Sequence, residues 1–192
     1  MLSLQNTADR LEVKTGELIL LTGGVGFGKS YFLKQLAGLY ALPSSITATI
    51  PQADMMFDTQ PPLWMGQYVS EELNHGLKIQ CTDSRMQQIL QTWRLHDITP
   101  QTPLSQLNRL QSLRLRLATM SLSGQLLWLL DNPTACLPVS DSQELRLDMI
   151  SWIKKHGCMV IVACNRWEDW QGQYSQHWHI QKQGSWPYLE QQ

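Results

Sequence analysis

The sequence predicts an α/β domain with a mostly parallel sheet and an inserted helical subdomain, on the basis of three observations. Short apolar runs of strand length recur along the chain, as expected for strands that a parallel sheet buries on both faces. Segments with apolar residues at helical spacing alternate with these runs, which is typical of α/β architecture. Beyond about residue 53 the composition shifts to Met, Gln, Trp and helix formers. We therefore expect one domain over residues 1–192, with a helical subdomain at about 53–118.

The N-terminal part contains two short predicted strands, near residues 2–4 and 11–13, before a turn at Thr15 and Gly16. The apolar run at 18–22 is the first predicted strand of the parallel sheet. A glycine-rich segment follows this strand, and a predicted helix begins at Lys29. Its apolar face is formed by Phe32, Leu33, Leu36 and Leu39.

The segment 23–30, called the phosphate loop below, has the sequence GGVGFGKS and matches the pattern G-x-x-x-x-G-K-[ST] between a strand and a helix. Its glycines let the backbone turn tightly and point N–H groups at an anion near the helix dipole. Triphosphate fits this geometry, with Lys29 reaching the β and γ phosphates and the Ser30 hydroxyl binding Mg²⁺. The alternative is a chance glycine-rich turn. The predicted nucleotide contacts are Gly23, Gly24, Val25, Gly26, Phe27, Gly28, Lys29, Ser30 and Tyr31.

The middle of the chain begins with a predicted strand at 46–50, which alternates β-branched and small residues and is followed by Pro51 and Gln52. Helical periodicity then predicts helices at 69–77, 84–95 and 104–120.

The apolar run at 125–130 predicts another buried strand, which ends at Asp131. A carboxylate at the carboxyl end of such a strand faces the phosphates and can bind Mg²⁺, directly or through water. Asp131 would then share the ion with Ser30. The alternative is a strand-end aspartate that caps the turn at 132–134.

The C-terminal part contains a predicted helix at 142–153, a buried strand at 159–163 and a terminal hairpin with a turn at 183–186. His177 and His179 fall on one face of the hairpin strand, which favours a solvated strand face over a metal site. The cysteines have no metal or redox spacing and predict free buried thiols. They are Cys81, Cys136, Cys158 and Cys164.

The composition is 43% hydrophobic and 16% charged with a net charge of −1, which indicates a globular domain. No long basic run is present, so we expect no nucleic-acid partner. No run of 18 apolar residues and no secretion signal is apparent, so we expect a cytoplasmic protein that reaches a membrane only through a partner.

The motifs in this order resemble the nucleotide-binding subunit of an ATP-binding cassette (ABC) transporter, which has a P-loop NTPase core. The resemblance spans about residues 15–170. The matching segments are the phosphate loop, residues 50–52 with the family's glutamine at Gln52, residues 104–108 at the Leu-Ser-Gly-Gly-Gln signature, residues 126–134 at the strand ending Asp-Glu-Pro, residues 135–138 at the Ser-Ala-Leu-Asp turn, and residues 160–165 at the last strand.

The resemblance implies ATP and Mg²⁺ as cofactors, with Ser30, Gln52 and Asp131 around the metal ion. It also implies γ-phosphate contacts from Gln52 and Asn165 and a nucleotide contact from Ser105. The catalytic positions would be Lys29, Asn132 and Asn165. A membrane-spanning transporter subunit and a homodimer or heterodimer with a second ABC subunit are the implied partners, which would place the protein at the inner face of a membrane.

The catalytic positions depart from the family pattern. Asn132 stands where the family has the glutamate that polarises the attacking water, and Asn165 where it has a histidine. An asparagine side chain cannot take up the proton. General-base catalysis contributes about 10²- to 10⁴-fold, so we expect hydrolysis slowed by about that much.

The dimer-forming positions depart as well. Gln106 and Leu107 replace two signature glycines, and Pro138 replaces the turn aspartate. Their side chains would obstruct the approach to a partner's γ-phosphate that glycine permits, so we expect a weaker closed dimer. The N-terminus is also expected to lack room for the family's antiparallel strands and for the aromatic residue that stacks on adenine.

The leading hypothesis is therefore an ATP-binding subunit of an ABC transporter with impaired hydrolysis. One alternative is a non-hydrolysing module that uses bound nucleotide as a regulatory or structural ligand. Another is a small-molecule P-loop kinase, against which the Leu-Ser before an Arg-bearing helix argues. Trp64 lies where the family builds the groove for its membrane subunit; a loop packed on the helical subdomain is the alternative.

Overall fold

The computed structural model describes residues 1–5, 10–59, 62–182 and 186–189. The strands are β1 (Leu2–Gln5), β2 (Arg10–Val13), β3 (Leu18–Gly23), β4 (Thr47–Thr49), β5 (Ala53–Met56), β6 (Leu127–Asp131), β7 (Met159–Ala163), β8 (Gln176–Ile180) and β9 (Tyr188–Leu189). The α-helices are α1 (Lys29–Leu36), α2 (Val69–Asn74), α3 (Asp83–Thr92), α4 (Arg109–Ser123) and α5 (Val139–His156). Two 3₁₀ turns span Leu104–Gln106 and Trp167–Trp170.

The described strands form a main sheet in the order β5-β6-β7-β3-β8-β9. Its pairs are parallel except β8 with β9, which confirms the predicted α/β fold with a mostly parallel sheet. β6 and β7 are buried at every residue, as their continuous apolar sequences require. The register pairs Leu21 and Asp131 with Ala163, so the strands end at one common edge. The turn of the predicted terminal hairpin, residues 183–185, lies outside the described residues.

A smaller antiparallel sheet, in the order β2-β1-β4, covers one face of α1. Leu2 and Leu4 from this sheet share a buried cluster with Phe32 of α1 and with Ile19 and Leu21 of β3. The helix therefore lies between two sheets. The expectation of no room for antiparallel N-terminal strands is wrong, because four-residue strands suffice. The strand predicted at 46–50 is β4, and it belongs to this small sheet.

β5 is the strand that the sequence interpretation missed. It pairs in parallel with β6, from Ala53 opposite Leu127 to Met56 opposite Leu130. The segment 53–56 therefore belongs to the main sheet, and the inserted helices α2 and α3 begin after it.

The inserted helices pack with α4 and α5 on the other face of the main sheet. Two prominent members of this apolar cluster are Trp93 and Trp128, each about 1% exposed. Trp152 packs against them and is half-buried, so the predicted core positions of Trp128 and Trp152 are confirmed. No helix among the described residues is long and apolar enough to cross a lipid bilayer.

An ion network joins the helical subdomain to α5. Arg94, just after α3, and Arg114 of α4 both bind Glu144, at 2.7 and 2.8 Å. The same two guanidinium groups bind Asp148, at 2.9 and 3.2 Å. The hydrogen bond from Arg114 lowers the pKa of Glu144, whereas burial raises the pKa of Asp148 despite its arginine partners. We call these four residues the ion network.

The C-terminal histidines differ from the predicted solvated strand face. His177 is buried, and its Nε2 lies 2.7 Å from the Thr22 hydroxyl oxygen. His179 Nδ1 lies 2.8 Å from the same oxygen. The prediction of a solvated face is therefore wrong for His177. All four cysteines are free; Cys158 and Cys164 are buried as predicted, but Cys136 is exposed.

Candidate phosphate-binding site

The glycines of the phosphate loop occupy backbone conformations or close contacts that exclude side chains. Gly26 and Gly28 have φ of +79° and +101°, in the region that glycine adopts without steric cost. A Cβ on Gly23 would lie 2.7 Å from the carbonyl oxygen of Ile180 on β8. The main sheet therefore fixes the start of the loop, and the positive φ values shape its turn.

The non-glycine positions of the loop point in different directions. A Cβ on Gly24 would lie 2.8 Å from the ring of Phe27, which packs against the cluster around α1. The Phe27 N–H donates to the Gly24 carbonyl at 3.1 Å. Val25 is exposed at the tip, and Tyr31 is exposed and stacks on Tyr40 with ring centroids 5.1 Å apart. The predicted contribution of Tyr31 to the site therefore comes from its backbone position on α1.

The Lys29 side chain lies against the backbone of the phosphate loop. Its Nζ donates to the carbonyl oxygens of Gly23 at 2.8 Å and Gly24 at 3.2 Å. Burial lowers the pKa of the Lys29 ammonium, and nearby Asp131 opposes that shift. The charge is thus held close to the loop by neutral oxygens, which phosphate oxygens can replace with stronger, charge-assisted hydrogen bonds.

Asp131 ends β6 beside Ser30, as the sequence predicted. Burial raises the pKa of the Asp131 carboxyl, a hydrogen bond from the Ser30 hydroxyl opposes the shift, and the charge of Asp58 adds to it. A buried carboxylate next to a hydroxyl oxygen is a donor set that Mg²⁺ accepts. The residues present therefore fit the ion that accompanies a nucleotide.

Cys164 separates β7 from Asn165 and lies close to the Lys29 ammonium. Burial raises the pKa of this thiol to about 12. The thiol is therefore neutral at physiological pH. It leaves the positive charge of Lys29 available to an anion.

Asn132 adopts a left-handed conformation with φ of +53°. Its N–H donates to the Ala163 carbonyl at 2.8 Å, and its side-chain Nδ2 donates to Asp58 Oδ2 at 3.1 Å. These contacts join the end of β6 to the loop that follows β5. Asp58 was missed in the sequence, and the signal that finds it is its place two residues after a parallel strand.

A cavity of about 270 Å³, called the loop cavity below, brings most of the predicted residues together. It is lined by Val25, Gly26, Gly28, Lys29, Ser30, Asp58, Asp131, Asn132, Ala163, Cys164 and Asn165.

Of the predicted residues outside the phosphate loop and α1, two do not line the loop cavity. Gln52 precedes β5, whereas the phosphate loop follows the carboxyl end of the parallel strands. At about 3.3 Å per residue, the length of β5 separates Gln52 from that edge, and Gln52 does not line the loop cavity, so the structure does not bring it together with Ser30 and Asp131. Ser105 lines a separate cavity of about 570 Å³ together with Trp64. The structure therefore does not bring Ser105 into the loop cavity.

The start of the helix behind Ser105 also differs from the prediction. α4 begins at Arg109 rather than at residue 104. Asn108 Oδ1 accepts the Gln111 N–H at 2.9 Å, and Gln111 Oε1 accepts the Asn108 N–H at 2.9 Å. This capping box satisfies two of the backbone donors at the helix N-terminus.

These features define a P-loop nucleotide-binding domain with an inserted helical subdomain. The ABC transporter family profile matches residues 7–135, and the chain belongs to that family. The resemblance inferred from the motifs is thereby confirmed.

Similar proteins include ATP-binding subunits. The cytochrome c biogenesis ATP-binding export protein CcmA of Gluconobacter oxydans is 30% identical over 161 residues, covering 80% of this chain and 71% of that protein. CcmA of Paracoccus denitrificans is 30% identical over 151 residues, covering 79% of this chain and 70% of that protein.

Solved structures share the fold at low identity. CbiO1 from Clostridium perfringens, part of the ABC transporter complex CbiONQ, superposes with a TM-score of 0.81 at 17% identity, over 96% of this chain and 85% of that one. A dimeric ATP-binding cassette in a post-hydrolysis state with ADP and phosphate has a TM-score of 0.80 at 16% identity, over 100% and 98% of the chains.

Proposed function

We propose that this chain is an ATP-binding subunit that binds Mg-ATP, couples binding to a membrane-spanning partner and hydrolyses ATP slowly. The observation that supports the proposal is the loop cavity, in which Lys29, Ser30 and Asp131 converge at the carboxyl edge of the sheet. A cationic side chain, a hydroxyl and a carboxylate in this arrangement suit a triphosphate with its metal ion.

In the proposed mechanism, the N–H groups of the phosphate loop cradle the phosphates and Lys29 exchanges its carbonyl partners for β- and γ-phosphate oxygens. Ser30 and Asp131 hold Mg²⁺, which when bound neutralises charge on the phosphates. Asn165 lies on the cavity wall and can donate a hydrogen bond to the γ-phosphate. Hydrolysis is slow because Asn132 replaces a proton-accepting carboxylate at the end of β6.

The proposed working form is a dimer, either of two copies or with another ABC subunit. Ser105 lines a cavity distinct from the loop cavity, so it can contribute only across a dimer interface. The side chains at Gln106 and Leu107 would keep that interface weak.

The proposed contact with the membrane partner is the surface of the segment 63–68, which includes Trp64 and Tyr68. Leu63 and Met65, on either side of Trp64, are 73% and 71% exposed. Adaptable apolar side chains around a half-buried aromatic residue, Trp64, suit contact with a partner segment. Such docking would hold the chain at the inner face of the membrane.

The names of the CcmA relatives support export in cytochrome c biogenesis as the process served. In a strain lacking this chain, we expect loss of covalently bound haem in c-type cytochromes, restored by the wild-type chain and not by a Lys29→Ala variant. Unchanged cytochromes would argue for a different transported substrate.

Calorimetric titration with Mg-ATP, followed by phosphate release with and without the co-purified membrane partner, tests the biochemical proposal. We expect binding by the chain alone and slow release that the partner stimulates. Asn132, in place of the glutamate that the family has there, favours a second candidate function, that of a non-hydrolysing regulatory module. Binding with no phosphate release in either condition would support that module instead.

A further inference from the structure

A carboxylate that no motif predicts stands at the mouth of the loop cavity. Asp58 lines the same cavity as Lys29 and Ser30, and its Oδ2 accepts the Asn132 Nδ2 hydrogen bond at 3.1 Å. The charge of Asp58 also contributes to the raised pKa of Asp131 across the cavity. Asp58 is therefore electrostatically part of the phosphate site.

Two elements hold this carboxylate in place. On its own loop, Thr59 N–H donates to the Phe57 carbonyl at 2.9 Å, and Arg109 of α4 donates to the Thr59 carbonyl at 3.3 Å. On the facing side, the Asn132 backbone is fixed by its hydrogen bond to Ala163. The Asn132 amide is thus aimed at Asp58 from a rigid strand end.

The loop cavity offers few groups that could take up a proton. Among the described residues that line it, the carboxylates are Asp58 and Asp131. Asp131 is buried and accepts the Ser30 hydroxyl, in the position proposed for the metal ion. Asn132 and Asn165 are neutral amides that do not accept protons. Asp58 remains as the exposed carboxylate among the described residues that line the cavity.

We propose that Asp58 orients and deprotonates the attacking water in this chain, with Asn132 as the residue that positions it. This inference rests on the proposed function. The water oxygen forms a bond to the γ-phosphorus as the bond from that phosphorus to the β–γ bridging oxygen breaks, and ADP leaves with that electron pair. One water proton passes to the Asp58 carboxylate and then to solvent, and hydrogen phosphate is released.

The carboxylate and the amide have thus exchanged sides of the cavity relative to the arrangement that the resemblance implies. In that arrangement a glutamate ends β6 and an amide side chain follows the neighbouring strand. Here Asn132 follows β6 directly, and Asp58 lies two residues after β5. An exposed loop fixes a base less firmly than a strand end, so a base at Asp58 predicts slow rather than absent hydrolysis.

The test is Asp58→Asn in the full chain, co-purified with its membrane partner, with Asp97→Asn as the matched control. Asp97 is exposed in the helical subdomain and does not line the loop cavity. For Asp58→Asn we expect kcat to fall about 10- to 100-fold, while the Kd for Mg-ATP and the Tm change little. The control should keep the wild-type kcat.

Adding Asn132→Glu to Asp58→Asn returns a carboxylate to the other side of the cavity, so kcat should recover at least to the wild-type value. Because Asn132→Glu alone is also expected to raise kcat, the unchanged Tm and unchanged Kd for Mg-ATP of Asp58→Asn, rather than this recovery, separate a catalytic role for Asp58 from a structural one. An unchanged kcat in Asp58→Asn overturns the proposal. A weaker Kd for Mg-ATP with an unchanged Kd for metal-free ATP also overturns it, because Asp58 would then be a metal ligand.

The wild-type chain separates this proposal from the proposed function. If it binds Mg-ATP but releases no more phosphate than Lys29→Ala, the role of Asp58 is wrong while nucleotide binding stands. If it does not bind Mg-ATP, both are wrong.

Discussion

The phosphate loop and the turn at 104–108, called the signature-position turn below, are both anion-site motifs before helices, but they are built differently. In the phosphate loop, positive φ values and close contacts require glycine, and Lys29 donates to the carbonyls of Gly23 and Gly24, which an anion can replace. In the signature-position turn, Asn108 and Gln111 form hydrogen bonds with backbone N–H groups at the start of α4, and Gln106, two residues before Asn108, is exposed.

The difference indicates that one chain is equipped to bind phosphates by itself but offers little to the nucleotide of a second chain. The phosphate loop keeps its donors available, whereas the turn uses its donors internally. Binding and dimer closure are therefore expected to be separable in this protein.

The largest expected effect comes from removing the phosphate-loop cation. Lys29→Ala should weaken Mg-ATP binding about 100-fold, equivalent to roughly 2.7 kcal/mol, because charged hydrogen bonds to two phosphates are lost. Isothermal titration measures the change, and Lys154→Ala, on the exposed side of α5, is the control. Retained affinity would mean that the phosphate loop is not the site.

The second-largest expected effect concerns Asn132, which stands at the position of the missing general base. Asn132→Glu should raise phosphate release by about 10-fold or more, because a carboxylate at the end of β6 can accept the water proton. Asn132→Gln keeps the amide and should not raise the rate. A Glu variant no faster than wild type would indicate that Asn165 or the signature-position turn also limits turnover.

A smaller effect concerns the signature-position turn. Replacing Gln106 and Leu107 by glycine should tighten ATP-dependent self-association about 10-fold, since the backbone could then approach a partner's phosphate. Sedimentation velocity with and without Mg-ATP measures this, and Gln101→Gly in the preceding exposed loop is the control. Unchanged association would show that the internally capped helix, rather than the side chains, is the obstacle.

The smallest expected effect concerns Asp131, where replacing the carboxylate should stabilise the folded state but remove a proposed Mg²⁺ ligand. Burial raises the pKa of the Asp131 carboxyl, so the folded state holds this proton more tightly than the unfolded state does. At any pH above the ordinary pKa of 3.8, ionisation of the buried carboxyl therefore lowers the stability of the folded state. Asp131→Asn should therefore raise the free energy of unfolding, and with it the Tm, at pH 7 without nucleotide.

The pH dependence of that gain identifies its cause. It should shrink as the pH falls through the folded-state pKa and vanish below 3.8, where wild-type Asp131 is protonated in both states. Thermal unfolding between pH 4 and pH 8 tests this. A gain that is constant with pH, or a loss of stability, would contradict burial of the charge as the cause.

Local patterns were sufficient for the core of the site. The apolar strand β3 was predicted within one residue and β6 within two, since each is defined by its own sequence. Ser30 and Asp131 meet because both follow strands that end at the same sheet edge.

Long-range contacts explain what the sequence interpretation missed. β5 is short and half-buried, and its Asp54 pairs with Arg116 of α4 at 3.5 Å, so nothing local marks it as a sheet strand. When β5 is absent from the predicted sheet, Gln52 is the residue expected at the sheet edge, and no role is expected for Asp58. Likewise, His177 is buried because it bonds Thr22, which lies 155 positions earlier in the chain.

The ion network has a consequence for how the molecule opens. Arg114 and Asp148 are about 8% and 11% exposed, so salt screens this pair weakly, and the network joins α3 and α4 to α5 in one contact. Amide protons in these three helices should therefore exchange with solvent as one cooperative unit. Any rotation of the helical subdomain that preserves the network would have to move α5 with it.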